Sequence, residues 1–167
     1  MKNVLKVFIF SFLLFVLISC GKTFKESKNE PKQNTEYVDL GLPSGTLWKT
    51  DVKEYYYIWY KWNDVMFEFG DNLPTREQFT ELLTFCTWEW TGTGCKVTGN
   101  NGSYIIFPAR GYCNCDGDPR SMLSVGGYWS RTEDGSEKAY FLFFNSEQLQ
   151  IRNNLRCYGL SVCLVKD

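Results

Sequence analysis

"GGYWSRTEDGSEKAYFLFFN", residues 126–145, sets two aromatic-rich runs on either side of a turn made of charges and glycine. On an extended strand successive side chains alternate between faces, so Tyr128 and Ser130 share one face, and Trp129 and Arg131 the other. In the second run Tyr140, Leu142 and Phe144 alternate with Phe141 and Phe143. That strand is apolar on both faces, the pattern of a strand covered from both sides. The hairpin therefore reads as the inside of a small domain and not as a surface that binds something.

Upstream the period changes. Trp62, Val65, Met66 and Phe69 fall at i, i+3, i+4 and i+7, one face of a helix, and Gly70 stands where a C-cap is expected. In "LPTREQFTELLTFC" Thr75 and Gln78 have the spacing of a capping box, with Phe79, Leu82 and Leu83 as the buried face. Pro43-Ser44-Gly45 divides two short β-like runs in "YVDLGLPSGTLWKT". Asn100-Asn101-Gly102 makes the turn of a hairpin in "KVTGNNGSYIIF". Further strands are predicted at 105–107, 128–131, 139–144, 149–152 and 158–165. Two short helices followed by antiparallel strands predict an α+β domain over residues 37–167.

The ends and the composition narrow the function. Lys2 and Lys6 precede an apolar run, Val7 to Ile18, then Ser19-Cys20-Gly21. The run suits a secretory h-region. "LISC" resembles a bacterial lipobox, which predicts a signal peptide over residues 1–19 and palmitate or another acyl lipid on Cys20. Residues 20–36 are lysine- and glutamate-rich, and read as a disordered tether. The expected location is the outer membrane, on its periplasmic or its outer side, with the membrane as partner through the lipid. The chain of 167 residues has a net charge of −1 and no histidine. That balance argues against nucleic acid, which needs a basic surface. The missing histidine removes Ser-His-Asp, Cys-His and HExxH sites. Outside the cytoplasm disulfides persist, so Cys86, Cys95, Cys113, Cys115, Cys157 and Cys163 are disulfide candidates; they could equally stay reduced as small buried hydrophobes.

Six motifs in register, "YVDLGLPSGTLW", "LPTREQFTELL", "CTWEW", "KVTGNNGSYIIFPARGY", "GGYWSRT" and "CYGLSVCLV", resemble the major paralogous domain family first defined in Fibrobacter. That family is abundant in gut Bacteroidetes lipoproteins and is similar to the C-type-lectin-like superfamily, which includes sulfatase-modifying factors. The resemblance covers Tyr37 to Val165 and implies a C-type-lectin-like fold with two helices and a twisted antiparallel sheet. Three positions depart from the family's pattern: Arg110 in "PARGY", Arg131 in "YWSRT" and Cys163 in "GLSVCLV". One arginine has gone and two have appeared, so Arg110 or Arg131 is expected to serve the acceptor of the lost one. "WND" at Trp62–Asp64 has the letters of a true lectin's calcium motif but sits on an early helix, where Trp62 reads as core.

Three places are candidates for binding. Trp88 and Trp90 are two apart, so on a strand both indoles share one face, either stacking sugar rings or packing on the second helix. "CNCDGDPRSMLSVGG" offers Asp116 and Asp118 to calcium and Cys113 and Cys115 to a soft metal, or is a surface turn; it lacks the full EF-hand spacing and a second cysteine pair. Arg131 is the third. The chain is expected to have no cofactor and no catalytic residue, and to be a binding module for a glycan or an envelope protein. The alternatives are a cysteine-dependent oxidase of the sulfatase-modifying type, for which Cys113 and Cys115 are the only close pair, and a structural envelope lipoprotein.

Overall fold

The hairpin at residues 126–145 lies at the centre of the molecule. The computed structural model describes residues 37–49 and 59–167, so the expected signal peptide, the lipidated Cys20 and the tether lie outside the described residues. Strands β9 (Gly126–Asp134), β10 (Lys138–Phe144) and β11 (Leu149–Leu155) form an antiparallel sheet in the order β11-β10-β9. Tyr128, Leu142 and Phe144 enter one apolar cluster, and Trp129, Ala139 and Phe141 enter another. The strand is covered on both faces, as its composition predicts. Gly126 has a packing reason: a Cβ there would collide with Cζ of Phe144, whose ring covers the glycine.

The first cluster is closed by helix α2 (Arg76–Phe85), which lies across β9, β10 and β11, and by a second sheet. α2 starts at its capping box: Thr75 Oγ1 accepts from Gln78 N at 3.1 Å, and Gln78 Oε1 accepts from Thr75 N at 2.8 Å. Such a cap satisfies donors that the first helical turn leaves over. The second sheet has the order β4 (Thr87–Trp90), β5 (Gly94–Thr98), β6 (Tyr104–Pro108). Its hairpin turns at Gly99–Gly102, and only the glycine takes positive φ, at 85°.

The second cluster is closed by helix α1 (Trp62–Glu68), which buries Trp62 and Val65. The indole of Trp62 donates to Ser130 O at 2.8 Å, fixing α1 against β9. α1 stops at Phe69, followed by Gly70 with φ 47°. Two small sheets remain, β1 (Tyr37–Asp39), β2 (Leu47–Lys49) and β13 (Val165–Lys166), and the ribbon β3 (Tyr60–Lys61), β12 (Gly159–Leu160), β7 (Tyr112–Cys113), β8 (Pro119–Arg120).

The chain is α+β, with two α-helices and mostly antiparallel strands in several sheets among the described residues. The single strand predicted at 158–165 is divided. Gly159 and Leu160 pair with β3 and β7, Ser161 bridges Tyr128 in parallel, and Val165 pairs with β2. Every residue from Gly159 to Val165 is buried. One extended segment thus serves three sheets in turn, which a continuous ladder with one neighbour could not do.

Candidate functional site

The sequence candidates fall mostly into packing roles. Trp88 and Trp90 do share a face of β4, but that face turns inward. Trp88 stacks on Phe107 with centroids 5.7 Å apart and donates from Nε1 to Leu82 O at 3.1 Å. Trp90 meets Phe144 edge-on at 6.5 Å. Both indoles are half-buried and serve the core, because β5 and β6 place the apolar face of this sheet on α2 and β10. Asp116 and Asp118 belong to a turn: Asn114 Oδ1 accepts from both backbone N–H groups, at 3.1 and 2.8 Å, and Gly117 takes φ 94°. Asp118 pairs with Arg120 at 3.4 Å, and among the described residues no group of three His, Cys, Asp or Glu could hold a metal ion. Arg131 is held by Asp71 at 2.7 Å and ties β9 to the loop before α2.

The cysteines divide. Cys115 and Cys157 form a disulfide with Cα atoms 4.9 Å apart. Because Cys113 pairs with Gly159 across β7 and β12, the residues two further along each strand, Cys115 and Cys157, also stand opposite one another. Cys115 is thereby taken, so Cys113 and Cys115 do not stand as a dithiol. Cys86, Cys95 and Cys163 carry no bridge, and Cys113 lies buried outside the Cys115–Cys157 pair. Burial pushes the Cys163 thiol up to about 12, against the pull of Lys49 and Arg110, and pushes Cys95 up to about 11. Cys86 is raised to about 11 by burial and then by Glu81. A thiol that keeps its proton is a poor nucleophile and a poor metal ligand, so these cysteines are core residues. Arg110 is buried and acts electrostatically on the Cys163 thiol, whereas Arg131 is engaged with Asp71. Of the two arginines, Arg110 is the one beside position 163.

A concave site opens elsewhere, where β10 and β11 meet the β7–β12 ribbon. Its cavity of about 220 Å³ is lined by Tyr112, Phe141, Phe143, Arg152, Asn154 and Tyr158, with Val125, Gly127 and Leu160 completing the wall. The registers explain the composition. Phe141 lies opposite Arg152 and Phe143 opposite Gln150, so β10 supplies aromatic and β11 polar side chains to one face. On the ribbon, Tyr112, Tyr158 and Leu160 share a face, and the disulfide fastens the same two segments from the opposite face. The tyrosine rings lie 6.1 Å apart, tilted by 33°.

Among the described residues the hydroxyls of Tyr112 and Tyr158, Nδ2 of Asn154 and Nη1 of Arg152 make no hydrogen bond within the protein. Asn154 uses only Oδ1, accepting from Leu155 N at 2.9 Å, and Arg152 uses Nη2 toward Gln148 Oε1 at 2.9 Å. An apolar cleft with a few converging polar groups is the usual form of a small-molecule site. Comparison with family models, curated proteins and solved structures finds no match. The sequence carried a sign of this cleft. "LQIRNN", residues 149–154, alternates apolar and polar beside a strand apolar on both faces, so Phe141 and Phe143 have polar neighbours at the sheet edge.

Proposed function

We propose that this chain is a non-catalytic binding module of the bacterial envelope that holds a sugar ring in the cleft between β7, β10, β11 and β12. The observation that carries this reading is the pairing of aromatic walls with four unengaged polar groups. Pyranose rings present C–H groups on their faces and hydroxyls at their edges. The C–H faces meet the negative face of a tyrosine ring, and the hydroxyls need donors and acceptors at the rim. The cavity is smaller than the roughly 300–1,000 Å³ of sites for drug-sized ligands, so it suits one ring at a time. The high thiol pKa values of Cys86, Cys95 and Cys163 give no support to an oxidase.

The setting follows from the sequence. A lipid on Cys20 anchors the domain in the outer membrane, and the six-motif resemblance supports a C-type-lectin-like fold within the α+β class. The Cys115–Cys157 bridge fits an oxidising compartment. A glycan array with the full chain in detergent tests the reading. Saturable binding that falls about tenfold in Tyr158→Ala and is unchanged in Trp88→Phe is the expected result. A blank array with folded protein refutes it.

A further inference from the structure

The cleft holds one formal charge, and no carboxylate lines it. Arg120, Arg131 and Arg156 are each paired with an acid, Asp118, Asp71 and Glu133, at 3.4, 2.7 and 3.3 Å. Among the described residues Arg152 has no such partner. Its guanidinium carbon lies over the Phe143 ring, 3.7 Å from the centroid, a cation on an aromatic face. Gln148 takes Nη2, and Gln150, with its amide oxygen turned inward, takes Nε at 3.1 Å. The ring and the two amides together hold the group in place. Nη1 makes no hydrogen bond among the described residues, and Arg152 lines the cleft.

We infer that the sugar held there carries a carboxylate, recognised by Arg152. This rests on the sugar reading of the cleft. A neutral hydroxyl would gain from the Tyr112 and Tyr158 hydroxyls and the Asn154 amide, which suffice to orient it. A fixed, unpaired guanidinium adds nothing special for a neutral ring, but it makes charge-assisted hydrogen bonds to a carboxylate, about twice as strong as neutral ones. Arginine is also less strongly hydrated than lysine, so pairing here costs less desolvation. The neighbouring tyrosines then stack the ring that bears the acid.

Methyl glucuronide and methyl glucoside differ only in the group at C6, so they isolate the charge. Saturation-transfer NMR on the full chain in detergent, at low ionic strength, gives the affinity of each. The glucuronide is expected to bind about fivefold tighter, the scale of a partly exposed ion pair, and added salt shrinks the difference. In Arg152→Gln the two sugars are expected to bind with equal affinity, the preference for the acid gone, while Tyr158→Ala weakens both sugars and keeps the preference. Equal affinity of the wild-type chain for the two sugars, with both still lost in Tyr158→Ala, overturns the acidic-sugar inference and leaves the sugar cleft standing. Absence of binding by either sugar to the folded chain overturns the cleft reading as well.

Discussion

Replacing Cys115 and Cys157 together by alanine removes a cross-link between residues 42 apart in sequence. In the chain-entropy picture a loop of that length restricts the unfolded ensemble by about 13 cal/mol/K, so the bridge stabilises the domain by about 4 kcal/mol at 25 °C. For a domain of about 130 residues each kcal/mol moves the midpoint by roughly 3–4 °C, giving a fall in Tm of about 14 °C. Urea unfolding followed by tryptophan fluorescence measures the change on three samples: oxidised wild type, wild type in dithiothreitol, and the double variant. The last two are expected to coincide, both with a larger m-value, because an unfolded chain without the bridge exposes more surface. The bridge also holds the segments bearing Tyr112 and Tyr158, so sugar affinity falls in the same two samples. A loss below about 1 kcal/mol, with the bridge verified by mass spectrometry in the wild type, refutes the reasoning.

Three further outcomes follow from the packing. Gly126→Ala drives a methyl into the Phe144 ring and destabilises by about 1–3 kcal/mol in a urea melt, and Phe144→Leu in the same chain recovers part of the loss. Cys163 keeps its proton to about pH 12 when folded and to about 9 when unfolded. Its contribution is therefore complete below pH 9 and falls by about 1.4 kcal/mol per pH unit above it, so Cys163→Ala lowers the alkaline slope of stability by one proton. Trp88→Ala costs about 3 kcal/mol of stability through lost stacking on Phe107, measured by thermal melting, and any folded fraction binds sugar as the wild type does.

The parts of the fold that local rules determine were legible in the sequence. The capping box at Thr75 and Gln78, the buried face of α1 and the two-sided strand from Ala139 to Phe144 each depend on neighbours a few residues away. The site was not legible in this way. Tyr112, Phe143 and Arg152 come from three strands and Tyr158 from the turn that leads into β12; two registers bring them together, and neither can be read from a single segment. The face shared by Trp88 and Trp90 followed from the period of a strand. The direction of that face depended on α2 and β10, which lie across it. The disulfide was one of several pairings open to six cysteines, and only the Cys113–Gly159 register selects Cys115 with Cys157.

The buried run from Gly159 to Val165 has a consequence for how the molecule assembles. It joins β3 and β7 to β9 and then reaches β2, so the early strands β2 and β3 find their final partner about a hundred residues or more downstream. Contacts that distant make folding slow, because a long loop must close before any reward is gained. No preceding part of the domain completes its core before this run arrives. A nascent chain therefore stays without a finished core, pliable and open, until nearly all of it has been delivered.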